Sequence, residues 1–539
     1  MPEVDFRITW PDGTPQHCTS PSRSIEAALA AGCRYPVDEF VRRATAALQI
    51  GSDRVRQKYG FACTAAAAQA DDIRQMASRF SPQGVVAVEQ MGMRGGPAPA
   101  GARRELDGRH VPAVIVGGGQ AGLSASWYLC QAGVEHVVLE RYRATHSWQT
   151  QRWDNFCLVT PNWQCQLPGH PYAGDDPDGF MVKEQILDYL ASFRRSFDPP
   201  LHEGVHVTRV GRARGATDAA GATSDPGAAG RTDAPFTVET SAGTLTADQV
   251  IVAVGGYHVP SIPALGGQLP PELTQVHSSA YKNAEVLPDG AVLVVGSGQS
   301  GAQIAEDLHL AGRQVHLAVG TAPRVARFHR GRDIVAWLQD RGHYDMGIDE
   351  HPEGTAARKE ANHYVTGRGG GRDIDLRRFA ADGMRLHGRL RAVDGAALSF
   401  DDDLAANLDN ADATYARINA GIDSWIAQRG IDAPPAEPYT PVWEPAPGEG
   451  TALDLEADGV RSVVWATGFR PDWSWVDLPW LDAAGYPEHD RGITPTRGLF
   501  VLGLPWLHTW GSGRFAAINR DASHLTSQVI AQSRLAGAA

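Results

Sequence analysis

Val114-Ile115-Val116-Gly117-Gly118-Gly119-Gln120-Ala121-Gly122 and Val292-Leu293-Val294-Val295-Gly296-Ser297-Gly298-Gln299-Ser300-Gly301 each close an apolar run and open a helix-suited stretch of small residues. Gly117, Gly119 and Gly122, and again Gly296, Gly298 and Gly301, fit G-x-G-x-x-G between a strand and a helix. The first glycine allows the tight turn, and the second lets a pyrophosphate approach the backbone. The third lets helix and strand pack closely, so that the helix N-terminal N–H groups face the phosphates. Glycine turns between strand and helix are common in α/β proteins, so one copy alone carries little information. Two copies in full context predict two dinucleotides bound by one chain.

The residues downstream of each copy separate the two ligands. After the first, His136-Val137-Val138-Leu139 ends on Glu140, a carboxylate placed to accept hydrogen bonds from a ribose 2′-OH, as FAD or NAD requires. After the second, Gln314-Val315-His316-Leu317-Ala318-Val319 ends on Gly320 without a carboxylate, and Arg324, Arg327 and Arg330 come next. Guanidinium groups there predict pairing with a 2′-phosphate and hence NADPH; the competing reading is a solvated basic face.

Composition narrows the class. The 539 residues suffice for three or four domains, and 42% hydrophobic content describes an ordinary globular α/β protein. A net charge of −13 leaves no basic stripe for nucleic acid. The N-terminus lacks a basic segment followed by an apolar core, and no apolar run is long enough to span a bilayer, so a cytoplasmic protein without membrane attachment is expected. Cys18, Cys33, Cys63, Cys130, Cys157 and Cys165 form no C-x-x-C pair. That excludes a zinc site and a flavin-linked dithiol, predicts no metal, and leaves six buried spectator thiols.

The expected fold is α/β: two Rossmann-like dinucleotide-binding domains, for FAD and NADPH, plus a small N-terminal α+β domain. Residues 1–93 form that small domain. Asp5 to Trp10 reads as a strand and Pro11-Asp12-Gly13 as its turn; helices run from Val37 to Phe80, then a strand at Gly84–Val88. Asp71, Asp72 and Cys63 there read as surface and core residues. A linker at 94–110 contains Gly95 to Gly101. The first part of the FAD domain is placed at 111–262, with a flexible hairpin loop at Arg212–Ala234. The NADPH domain is placed at 263–454, with a polar insertion at about 331–447 whose Trp337, Tyr344, Tyr364 and Trp425 pack it down. The second part of the FAD domain is placed at 455–539.

On these motifs the chain resembles the class B flavoprotein monooxygenases, specifically their CzcO-like branch, from about residue 111 to 530. The carriers are both fingerprints, Ala466-Thr467-Gly468, and the segment Trp148 to Gly169 with Arg152-Trp153-Asp154 and Leu158-Val159-Thr160-Pro161-Asn162. His277-Ser278-Ser279-Ala280-Tyr281 matches the rear of the family's F-x-G-x-x-x-H-x-x-x-[WY] signature, whereas Pro271 and Leu273 replace its Phe and Gly. That departure speaks against a strict Baeyer–Villiger assignment. Residues 1–93 resemble a small nitrogen-starvation-response family. The resemblance implies that Gly117, Gly119, Gln120, Ala121, Gly122, Glu140 and Trp148 hold FAD. Leu167 would approach the isoalloxazine edge, and the Val207 backbone would approach the adenine. Gly296, Ser297, Gly298, Gln299, Ser300, Gly301 and Arg324, with Ser278, would hold NADPH. The hydroxyls of Ser297 and Ser300 are read as helix caps or phosphate ligands.

The resemblance further implies NADPH-driven oxygenation of a small organic substrate by O2 (at nitrogen, sulfur or a carbonyl) through a C4a-(hydro)peroxyflavin. Asn162 is a candidate donor to the peroxide, against a plain turn role after Pro161. Trp506, His508 and Trp510 form a candidate substrate wall with His508 as acid or base, against core packing. Two further readings stay open: a reductase without oxygen insertion, and a non-catalytic flavin-bearing regulator. Self-association into a homo-oligomer is left open.

Overall fold

A computed structural model describes residues 4–22, 24–30, 33–59, 64–93, 105–212 and 234–538. The expected linker at Gly95–Gly101, the tip of the loop within Arg212–Ala234, and Cys63 lie outside the described residues.

The N-terminal unit is a four-stranded antiparallel sheet. Its order is Pro15–Ser20, Val4–Thr9, Val85–Met93, Arg34–Pro36, backed by helices Val37–Tyr59 and Thr64–Ala77. Alternating Val4, Phe6 and Ile8 bury one face, and Trp10 closes it against Phe40 and Phe80.

The first fingerprint sits in a seven-stranded sheet. Its path runs Val207–Arg212, Phe236–Thr240, Gly243–Val252, His110–Val116, His136–Glu140, Leu201–Glu203, and Leu499–Val501 pairs parallel with Gly243–Val252. His110–Val116 lies between two parallel neighbours and is buried on both faces from Ala113 to Val116, so its apolar run is continuous rather than alternating. Val207–Arg212 and Phe236–Thr240 pair antiparallel.

The second fingerprint sits in a five-stranded, all-parallel sheet in the order Thr274–His277, Val460–Trp465, Ala291–Val295, Val315–Ala318, Arg385–His387. The expected return to the first domain at 455 therefore comes too early. Val460–Trp465 is an inner strand of the second sheet, and the chain rejoins the first sheet only afterwards.

His316 and His387 face each other across adjacent strands, rings stacked, with His316 Nδ1 and His387 Nε2 sharing a hydrogen 3.0 Å apart. Burial pushes both down from the usual 6.5 to about 4, so both are neutral in the folded protein. The unfolded chain takes up their protons below about pH 6.5. Stability from this pair is therefore complete above that pH and is lost as pH falls toward 4. Thermal unfolding should show a Tm drop of roughly 10 °C from pH 7 to pH 5. The slope should be shallower in His316→Gln/His387→Gln; an equal slope would refute the assignment.

The thiols are less uniform than expected. Cys18, Cys157 and Cys165 are buried, but Cys130 is half-buried and Cys33 is exposed. No helix among the described residues is long and apolar enough to cross a membrane.

Candidate active site

Both glycine turns have the geometry that their spacing demands. Gly117 (φ +111°) and Gly296 (φ +101°) take up the left-handed conformation at the strand ends. A methyl on Gly117 would collide with Ala253 O, and one on Gly296 with Ala466 O, so each turn lies against a neighbouring strand. Gly122 and Gly301 pack onto the carbonyls of Gly117 and Gly296. Gly119 and Gly298 are the N-caps of helices Gln120–Gln131 and Gln299–Leu310, and a Cβ on either would meet nothing. An open N-cap with free helix N–H groups is what a pyrophosphate needs, so the residues fit a dinucleotide at both places.

Glu140 stands at the first site with Oε2 accepting from Gly118 N (2.7 Å) and Oε1 from Tyr142 N (2.8 Å). Burial raises its pKa, and those two N–H groups oppose the rise. Val205 N donates to Glu140 O (2.9 Å), which brings the start of Val207–Arg212 beside it. The Gln120 side chain bridges Trp148 Nε1 (2.9 Å) and Gly513 O (3.1 Å). Trp148 stacks on Phe515 at 5.3 Å. The fingerprint, the Trp148 segment and the turn before helix Ile518–Ala538 thus meet at one place.

Several predicted residues are placed elsewhere. Leu167 is 1% exposed and packs in the core of the first nucleotide domain. Asn162 is 3% exposed; its Oδ1 accepts from Met181 N (2.7 Å) and its Nδ2 donates to Asp176 O (2.9 Å). Both ends of the amide latch a loop, which corrects the catalytic reading in favour of the turn role. Ser297 caps no helix. Its Oγ accepts from Gly320 N (2.9 Å) and ties the turn to the next strand end, while Ser300 is exposed on the first helical turn.

Arg324 is also corrected. It is 2% exposed, sandwiched between Tyr415 and Tyr439 at 4.3 and 3.9 Å, with Nε 2.8 Å from Asp412 Oδ1 in an ion pair without hydrogen-bond alignment. Arg327 donates to Asp333 (2.7 Å) and Val159 O (2.6 Å), and Arg330 to Asp423 (2.6 Å). The three arginines fasten the insertion rather than meeting a phosphate.

The C-terminal aromatics pack the insertion down. Trp506 packs with Ile348 and Ala357, and the His508 carbonyl accepts from Ile348 N (2.7 Å), so both serve as the seat of the insertion. Burial, then the cations Arg491 and Arg520, lower the pKa of His508. Trp510 packs against the same cluster and also lies against Tyr344 (4.8 Å) and Arg514 (4.1 Å). A cleft of about 260 Å³ opens beside it, lined by Gln166, Gln339, Tyr344, Gly511, Asn519 and Arg520. Sequence reasoning misses Tyr344 as a wall residue, Phe515 and Asp521. Asp521 lies on the first turn of the last helix, bonded by Ser512, and burial pushes it up to about 6. Only the proximity of these residues in the fold identifies them.

Comparison with known proteins agrees with this geometry. Residues 5–91 match the family of nitrogen starvation-induced protein NitG, residues 110–151 an FAD binding domain, and residues 229–343 the pyridine nucleotide-disulphide oxidoreductases. A CzcO-like oxidoreductase of Geobacillus kaustophilus is 28% identical over 423 residues, 78% of this chain and 98% of that protein. An indole-3-pyruvate monooxygenase of Oryza sativa subsp. japonica is 32% identical over 213 residues, 39% of this chain and 47% of that protein. The flavin-containing monooxygenase of Stenotrophomonas maltophilia shares the fold, with a TM-score of 0.52 at 19% identity over 79% of this chain and 99% of that one. The chain from about residue 110 onward is therefore an FAD- and pyridine-nucleotide-dependent oxidoreductase similar to the CzcO-like proteins, preceded by a unit that matches NitG.

Proposed function

We propose that this chain is a cytoplasmic NADPH-using monooxygenase that inserts one oxygen atom of O2 into a small organic substrate. The observation that carries the reading is the state of the thiols in the Trp148–Gly169 segment. Cys157 and Cys165 are the cysteines of the Trp148–Gly169 segment, both buried and unpaired, and burial pushes Cys165 up to about 12. Such thiols do not relay electrons, so electrons leaving the flavin go to a diffusible acceptor. Bound FAD supplies hydride acceptance from the nicotinamide and the reaction of its reduced form with O2.

The protein's part is positioning and exclusion of water. Gln120 fixes Trp148 and the Gly513 turn together, Trp148 and Phe515 form an apolar stack beside it, and Tyr344, with Trp510 packed against it, walls the cleft through which substrate approaches. Gly320, half-buried and without a side chain at the end of the second nucleotide strand, leaves space for a 2′-phosphate and offers no carboxylate to repel it.

The test is substrate-coupled turnover under ¹⁸O2 with amines, sulfides, ketones and carboxylic acids. NADPH consumption should match labelled product for at least one class. Quantitative recovery of the consumed O2 as H2O2 across every class would replace this reading with an oxidase or reductase.

A further inference from the structure

The cleft of about 260 Å³ draws its walls from three parts of the chain. Gln166 belongs to the Trp148–Gly169 segment, Gln339 and Asp345 to the insertion, and Asn519 and Arg520 to the last helix. Two of those walls are tied to the first nucleotide site. Gln166 N donates to Phe515 O (3.2 Å), and Phe515 stacks on Trp148. Tyr128, on the fingerprint helix Gln120–Gln131, donates its hydroxyl hydrogen to Asn519 Oδ1 (2.6 Å).

The charge of the cleft is balanced from within. Among the described residues that line it, Asp345 and Arg520 alone are ionised at neutral pH, and they pair with each other. Arg520 Nη1 donates to Asp345 Oδ1 (2.6 Å) and Nη2 to Tyr344 O (3.1 Å). A charged ligand therefore meets no spare counter-charge and would lose hydration without replacement. What the walls do offer is neutral amide. Gln166 Nε2 is spent on Trp163 O (2.6 Å), which leaves Oε1 as an acceptor. Asn519 Oδ1 is taken by Tyr128, which leaves the Nδ2 hydrogens as donors. The Gln339 side chain is engaged at neither end among the described residues. Neutral donors and acceptors around one cleft match a group that carries both, as a carboxamide does. The volume lies below the roughly 300–1,000 Å³ of drug-sized sites, so the occupant is small.

We propose that this cleft seats the substrate by an uncharged carboxamide, with Asn519 donating to its carbonyl oxygen and Gln339 and Gln166 accepting from its N–H, and that it discriminates against carboxylates and ammonium ions. That the occupant is the substrate rests on the monooxygenase reading; the preference for a neutral amide does not. The nicotinamide of NADP⁺ carries the same group, and the experiment separates the two sources.

Oxidised FAD-loaded enzyme is titrated by calorimetry at pH 7 with two matched series: phenylacetamide, phenylacetate and phenethylamine, and hexanamide, hexanoate and hexylamine. Binding to the resting enzyme needs no turnover, so a failure of oxygenation and a failure of amide selection are read separately. In at least one series the amide should bind about tenfold or more tighter than both charged analogues. Asn519→Leu should erase most of that preference while leaving the charged analogues within about twofold. Asn519→Asp should instead raise amine affinity about tenfold, because the new carboxylate supplies the missing counter-charge. Gln339→Leu, whose parent side chain bonds to nothing, provides the same comparison as Asn519→Leu if that variant does not fold. Amide binding should persist at saturating NADP⁺, and NADP⁺ affinity should stay within about twofold in the variants. Amides binding no tighter than their charged analogues to the unmodified enzyme would overturn the proposal. So would displacement of the amides by NADP⁺, or a loss of NADP⁺ affinity in the variants, either of which would give the cleft to nicotinamide.

Discussion

Gly298→Ala is expected to yield a yellow, normally folded protein that NADPH no longer reduces at ordinary concentrations. The residue is the N-cap of helix Gln299–Leu310 with φ −61° and ψ 177°, a conformation open to alanine, and its new Cβ would meet no protein atom. The only intrinsic cost is a poorer N-cap, about 0.5 kcal/mol. The methyl instead occupies the space through which a pyrophosphate reaches the helix N–H groups. Losing two charge-assisted hydrogen bonds at ~1.5 kcal/mol each weakens nucleotide binding about 100-fold. Rapid mixing with NADPH should show the loss as a raised concentration for half-maximal flavin reduction. Dithionite should bleach the variant as it does the parent protein. Unchanged reduction by NADPH would mean that the second fingerprint is not the nucleotide seat.

The fold is legible in the sequence because its two decisive signals are local. An apolar parallel strand, a positive-φ glycine and a small-residue helix start lie within ten residues, and each supports the same answer. Strand order is not local. Val460–Trp465 carries the same apolar-then-glycine pattern as the strand ending at Val252, and nothing in those residues says which sheet receives it. Sequence alone therefore places the domain return too early.

The site is legible where backbone makes it and illegible where side chains do. Gly117 to Gly122, Glu140 and Trp148 come together as expected, because glycine spacing and a strand-end carboxylate are backbone-positioned features. Arg324 and Arg330 look like phosphate ligands because their partners, Asp412 and Asp423, lie about ninety residues downstream on the helix Leu404–Arg429. Asn162 looks available because the groups that saturate it are main-chain atoms of residues 176 and 181.

The first fingerprint permits a sharper experiment, because its second and third glycines should fail in different ways. Gly119→Ala, at φ −80° with open space around the added methyl, should leave the FAD-stripped protein within about 1 kcal/mol of its parent in thermal unfolding. Its affinity for FAD should nevertheless fall about 100-fold or more, so that it purifies nearly colourless. Gly122→Ala drives a methyl into the Gly117 carbonyl of the turn and against Ile115 Cγ2 in the core of the first sheet, with backbone in the way of the first contact. Helix and strand must then part, and the FAD-free protein itself should lose about 3 kcal/mol or more. Unfolding of the stripped proteins and FAD binding monitored by quenching of its fluorescence measure the two quantities separately. If Gly119→Ala kept parental FAD affinity, the pyrophosphate would not lie over that residue, and the flavin would have to be sought away from the Gly117–Gly122 turn. If instead both variants lost stability equally, the glycines would be packing residues alone and the ligand would play no part in selecting them.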